Sequence, residues 1–147
     1  MDTQDSREQL KIWQRVRGEL PITDGLTALA ARALSQGALY EALSRKMQGP
    51  GRTILLQLRD AQLENARCIK GIYRMIAGSF MKVTAVPPDT QNLENALRKS
   101  YGYSLKALNA YQAKASHDEY GAIFQCLVEK ERINCCKIAE LMGLLGG

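Results

Sequence analysis

The sequence predicts an all-α protein, a bundle of four long helices preceded by a short N-terminal helix. Two observations predict it. Apolar residues recur at helical spacing along most of the chain, and the strict alternation typical of strands is absent. Glycine- and proline-containing breaks divide the chain into pieces of helical length. At 147 residues, of which 46% are hydrophobic and 24% charged, the chain suits one domain with a substantial core.

The N-terminal helix and its linker are predicted over residues 1–22, and the bundle over 23–147. The short amphipathic segment runs over about 6–17, where Leu10, Trp13 and Val16 share one face. The sequence GELPITDG then ends the helical pattern. We expect the apolar face of this segment to pack on its own bundle or on that of a neighbouring copy.

Four longer helical segments follow, at roughly 24–47, 52–77, 91–115 and 118–144. The sequence QGPGR separates the first pair. The second pair is separated by residues 116–119, whose Ser-x-x-Glu pattern predicts a capping box at the start of the last helix. Between the pairs lies GSFMKVTAVPPDTQ, which is too long for a tight turn. This organisation predicts two helical hairpins joined by a long crossover.

An internal repeat supports the same architecture. The sequence ALSQGALYEAL in the first segment resembles SLKALNAYQAK in the third, with Tyr40 matching Tyr111. LRDAQLENARCIKGI in the second segment similarly resembles LVEKERINCCKIAEL in the fourth. Two similar hairpins joined by a crossover are typical of a four-helix bundle.

Polar residues interrupt the predicted inward face of each helix near its middle. They are Gln36 beside Ala33 in the first helix, Gln62 and Asn65 in the second, Ser104 in the third, and Glu131 and Asn134 in the fourth. If the helices align as the repeat indicates, these positions share one layer of the core. A buried amide without a partner costs about 1–3 kcal/mol. Such a layer therefore indicates a hydrogen-bond network that fixes helix register, a small-ligand pocket, or a weakly held cation at Glu131.

The stretch 23–146 resembles the ferritin-like, rubrerythrin-type four-helix proteins. In that family the first and third helices each bring a Glu seven residues before a Tyr, and the second and fourth each bring Glu-x-x-His. Tyr40 and Tyr111 match the tyrosines, and ENARCIKGIYRMIAG resembles the segment after the second-helix glutamate. IWQRV resembles the short helix that often precedes the bundle in bacterial members. The resemblance implies a di-iron or di-manganese centre, oxidoreductase activity and a homodimer.

The metal-ligand positions of that pattern are mostly replaced in this chain. Of the six matching positions, only Glu131 keeps a ligand type. Four carboxylates normally neutralise most of the charge of such a centre, and imidazoles supply nitrogen donors. We therefore expect no functional metal site, only vestigial site positions at Ala33, Gln62, Asn65, Ser104, Glu131 and Asn134.

Two functional hypotheses follow, with no catalytic or cofactor-binding residue assigned in the first. The first is a non-catalytic bundle without a cofactor, acting as a scaffold or interaction module. The second is a di-iron oxidoreductase of peroxidase or ferroxidase type with atypical ligands, using iron or manganese. It requires Asp60, Glu64 or Glu129 to turn inward, although all three lie off the predicted inward positions.

The remaining candidate residues have structural interpretations. His117 is predicted to be a solvated loop residue, and Tyr40 and Tyr111 to be core residues whose hydroxyls find partners in the polar layer. The four cysteines show no C-x-x-C spacing, which indicates reduced thiols rather than a zinc site or a disulfide framework. They are Cys68, Cys126, Cys135 and Cys136.

The charge and hydropathy of the sequence limit the binding partners and the cell compartment that we expect. The net charge of +5 is modest, and Lys and Arg are scattered singly, which does not favour nucleic-acid binding. No apolar run approaches the roughly 18 residues of a membrane span. The polar, acidic start MDTQDSREQLKIWQ is unlike a signal peptide. We expect a cytoplasmic protein, a homodimer by resemblance, with no membrane or nucleic-acid partner.

Overall fold

The computed structural model describes residues 22–146, which form four α-helices and no strand. The helices are α1 (Leu26–Ser44), α2 (Gly49–Ala77), α3 (Leu93–Lys114) and α4 (Gly121–Gly146). The predicted all-α fold with four long helices is thus confirmed. The N-terminal helix predicted over residues 6–17 lies outside the described residues.

Two helix starts differ by three residues from the sequence prediction, and the other two by two residues. Helix α2 begins at Gly49, three residues early, because Pro50 lies in the first turn, where a missing N–H costs no helical hydrogen bond. Helix α4 begins at Gly121, three residues late. At the turn before it, His117 Nδ1 accepts hydrogen bonds from the backbone N–H groups of Glu119 and Tyr120, each at 3.2 Å. His117 is therefore a partly buried turn-forming residue, and it takes the acceptor role predicted for Ser116.

The crossover between the hairpins, residues 78–92, runs along α1. The Val86 N–H donates to Ser35 Oγ at 2.9 Å in the middle of α1. Further on, Lys46 Nζ donates to the Thr90 carbonyl oxygen just beyond the end of α1. Helix α3 consequently starts near the C-terminal end of α1 and runs antiparallel to it.

Buried apolar residues form two clusters, one towards each end of the bundle. The lower cluster combines the start of α1, the ends of α2 and α3, and the start of α4. The upper cluster combines the opposite ends of the same helices. The clusters include Leu26, Ile69, Tyr111 and Phe124 in the lower one, and Leu43, Leu55, Leu97 and Ile138 in the upper one. The polar residues of the core lie between them.

Candidate functional site

The carboxyl group of Glu131 is the centre of the polar layer. Glu131 is only 1% exposed. Gln62 Nε2 donates to its Oε1 at 3.1 Å, while Asn65 Nδ2 and Asn134 Nδ2 donate to Oε2 at 3.2 Å and 3.3 Å. The side chains of α2 and α4 predicted to share one layer thus contact each other through this carboxyl.

Burial raises the pKa of the Glu131 carboxyl above its ordinary range, because removal from water disfavours the charged form. Neighbouring Ser104, Gln62 and Asn134 oppose the rise by stabilising the anion. The carboxyl is therefore more readily protonated in the folded protein than in water. Within the described residues, no Lys, Arg or His forms an ion pair with it.

Several polar atoms of the layer are buried and have no hydrogen-bond partner of standard geometry within residues 22–146. They are Gln36 Oε1, Tyr40 Oη, Asn65 Oδ1, Ser100 Oγ and Ser104 Oγ. Such groups each cost about 1–3 kcal/mol when left unsatisfied. The layer therefore has more hydrogen-bonding capacity than its own side chains use.

Ser100 is the residue of this layer that sequence analysis missed. Its neighbour in the sequence, the larger Tyr101, is 39% exposed, whereas Ser100 is fully buried. The inward positions of α3 are Leu97, Ser100, Ser104, Ala107 and Tyr111. Their spacing of three and four residues is helical, but a search for large apolar residues passes over two serines and an alanine.

A small cavity of about 10 Å³ adjoins the layer where Ala33 faces Glu131. Gln36, Gln62, Ser104 and Tyr111 also line it. This volume holds about one water molecule. The cavity offers hydroxyl, amide and carboxyl groups to whatever fills it, so a single water is the occupant that its size and polarity fit.

The two matching tyrosines differ in their surroundings. Tyr40 is fully buried, but its hydroxyl has no partner of standard geometry among the described residues, contrary to the prediction that it would find one. Tyr111 is 1% exposed and packs on Phe124, with ring centroids 6.5 Å apart. Burial raises the pKa of both phenols, so both are neutral core residues.

The acidic residues that an atypical metal site would require lie on the outside of the bundle. Within residues 22–146, no group of three or more His, Cys, Asp or Glu side chains is placed to bind a metal ion. The three carboxylates instead form exposed ion pairs: Asp60 with Arg59 at 2.9 Å, Glu64 with Lys130 at 2.8 Å and Glu129 with Arg132 at 2.7 Å. One buried carboxyl among amides and hydroxyls does not fit a two-metal centre, whose charge needs several carboxylates.

The four cysteines are free thiols. Cys68 and Cys135 are half-buried, and burial raises the pKa of both thiols. Cys126 and Cys136 are exposed on α4. A raised pKa lowers the thiolate fraction, so Cys68 and Cys135 are poorly suited to nucleophilic or redox chemistry.

Comparisons with known proteins add no identification. No protein-family model matches the chain, and neither a curated protein nor a solved structure matches it. Among residues 22–146, no helix combines the length and the apolar character needed to span a bilayer.

Proposed function

We propose that this chain is a ferritin-like, rubrerythrin-type bundle without a di-metal centre, acting as a non-catalytic scaffold or interaction module. Its helix order supports the ferritin-like assignment, because two hairpins are joined by a crossover that makes α1 and α3 antiparallel. The matching tyrosines Tyr40 and Tyr111 lie in the core on either side of the polar layer.

One observation carries the non-catalytic part of the proposal. Three side-chain amides direct N–H groups at the lone pairs of Glu131, the single carboxyl of the layer. A metal ion at this carboxyl would have to displace those donors. It would also face Ala33 and Ser104 at positions where the family resemblance places glutamates. The layer is therefore built to satisfy a carboxyl group internally.

Metal retention tests this proposal directly. The purified protein would be incubated anaerobically with ferrous iron or manganese, desalted and analysed for metal content. We expect far less than one metal ion per chain in the wild type, in Glu131→Gln and in the control Glu129→Gln, whose carboxylate is exposed on the same helix. Retention of about two ions in the wild type and in Glu129→Gln, with loss in Glu131→Gln, would overturn the proposal.

We also propose that the bundle forms a homodimer in the cytoplasm. Large apolar residues remain exposed on the two helices of the second hairpin, including Tyr101 and Leu105 on α3 and Ile133 on α4, the last at 55% exposure. Exposed apolar side chains of this kind favour association through a shared face. Sedimentation equilibrium measures the mass directly, and a monomer at all concentrations would refute this part of the proposal.

A further inference from the structure

A groove of about 460 Å³ opens between α1 and α3 and is bordered by the crossover. Its volume falls within the range of small-molecule sites, roughly 300–1,000 Å³. The groove exists because α1 packs chiefly on α2 and α3 packs chiefly on α4, which leaves the contact between α1 and α3 the weakest in the bundle. Its apolar wall includes Leu39, Val86, Pro87, Pro88 and Ala96.

Gln36 supplies a buried polar group to this groove. The residue is 7% exposed and lines both the groove and the small cavity beside Glu131. Its amide oxygen has no hydrogen-bond partner within the described part of the chain. This oxygen is enclosed by protein atoms, so a ligand in the groove reaches it only when the Gln36 amide turns it outward. That turn breaks no hydrogen bond of the oxygen, and a ligand N–H or O–H group would satisfy it.

The charges of the groove favour an anion. Arg32 and Lys99 line it, and neither forms an ion pair within residues 22–146. The Arg32 guanidinium lies over the Tyr103 ring, 5.6 Å from its centroid, so the ring orients it, and no carboxylate of residues 22–146 pairs with it. The acidic residue of the lining, Asp89, accepts a hydrogen bond from the Gln91 N–H at 3.1 Å.

We propose that this groove binds a small amphipathic organic acid, whose anionic group meets Arg32 and Lys99, whose flat apolar body lies against Leu39 and Ala96, and whose N–H or O–H group donates to Gln36. The apolar wall of the groove selects the body of this ligand, and Arg32 and Lys99 select its anionic group. The Gln36 amide oxygen selects its hydrogen-bond donor. This proposal is independent of the proposed absence of a di-metal centre, because Glu131 does not line the groove. Failure of either proposal leaves the other standing.

Three matched probes separate the three parts of the ligand. Indole-3-propionate carries the carboxylate, the aromatic body and the N–H donor. Its N-methyl analogue lacks the donor, and its primary amide lacks the charge. By isothermal titration calorimetry on the full chain, we expect saturable one-site binding of indole-3-propionate. The N-methyl analogue should bind about three- to tenfold more weakly, and the amide about tenfold more weakly.

Two variants then assign these preferences to residues. Gln36→Leu should abolish the preference for the N–H probe over its N-methyl analogue, and Arg32→Gln should reduce the preference for the acid over the amide at least threefold. The control Arg52→Gln removes an exposed arginine of α2 outside the groove and should change neither preference. Gln36→Leu removes an unpartnered buried oxygen, so its melting temperature should not fall and its folding can be verified.

Three results would overturn the proposal. One is no saturable heat with indole-3-propionate on the full chain. The second is that both preferences persist unchanged in Gln36→Leu and Arg32→Gln. The third is that Arg52→Gln weakens binding as much as Arg32→Gln, which would show that the acid binds by general charge attraction only.

Discussion

Replacement of Glu131 by glutamine tests the physical account of the polar layer. Burial raises the pKa of this carboxyl, so the folded protein holds its proton more tightly than the unfolded chain does. The resulting stabilisation is complete when the pH is below the ordinary pKa range of a carboxyl group. It is lost as the pH rises through the raised pKa of the folded protein. Above that window the wild type carries a desolvated anion in its core. A glutamine cannot ionise, so Glu131→Gln should lack this pH dependence.

The hydrogen bonds of the layer set the expected magnitudes. A glutamine oxygen in the place of Oε2 still accepts from Asn65 and Asn134, and Gln62 can reverse its amide to face the new N–H group. We therefore expect the free energy of unfolding of Glu131→Gln to be within about 1 kcal/mol of the wild-type value at about pH 5. At about pH 8 we expect Glu131→Gln to be more stable than the wild type. Glu131→Leu has a similar volume but leaves three amides without an acceptor, which should cost about 3 kcal/mol or more.

Urea denaturation followed by far-UV circular dichroism measures these free energies of unfolding for all three proteins at both pH values. The difference between wild type and Glu131→Gln isolates this one group, since every other titrating residue is common to both. A free energy of unfolding as low for Glu131→Gln as for Glu131→Leu at about pH 8 would contradict this role of the carboxyl. That result would mean that the layer depends on a negative charge, and hence on a cation bound there.

Two further substitutions test the packing at the start of α4 and within the polar layer. In Gly121→Ala the new Cβ would collide with the carbonyl oxygen of Ala115, so we expect a loss of about 1–3 kcal/mol. Its control, Gly71→Ala, adds a Cβ into open space within a helix and should raise the free energy of unfolding by about 0.5–1 kcal/mol. Thermal melts in which Gly121→Ala is more stable than Gly71→Ala would contradict the structure. Tyr40→Phe removes a buried hydroxyl without a partner in the described residues, so stability should be unchanged or rise by up to about 1 kcal/mol. A loss beyond about 1.5 kcal/mol would show that this hydroxyl is hydrogen-bonded, with Ser100 or Ser104 the nearest candidates.

The helices and the polar layer were predictable because each depends on periodicity. Gln62, Asn65, Glu131 and Asn134 occupy inward positions of two strongly patterned helices, and such positions follow from spacing alone. Ser100 was not predictable in the same way, because small residues on α3 give a weak apolar signal. Its burial is set by how closely α3 approaches its neighbours.

The groove was not predictable from the sequence at all. Its walls come from α1, α3 and the crossover, which lie far apart in the chain. Whether such elements close on each other or leave a gap depends on the relative tilt of the helices, and helical periodicity carries no information about tilt. Gln36 is an example, since its inward position was predicted but its place between the groove and the small cavity beside Glu131 was not.

The location of the polar layer between two apolar clusters gives a physical reason for buried polarity in a bundle without a metal-binding set. Leu127 and Ile138 lie on either side of Glu131 along α4, one in each cluster. A shift of α4 along the bundle would move Glu131 among apolar side chains and leave the amides of Gln62 and Asn65 facing hydrocarbon. Unpaired amides cost about 1–3 kcal/mol each, and an unpaired carboxylate costs more. The apolar clusters alone tolerate a shift of one heptad far better, because leucine and isoleucine replace each other at small cost. The layer therefore selects one helix register, a role that needs the carboxyl and its amides but no metal ion.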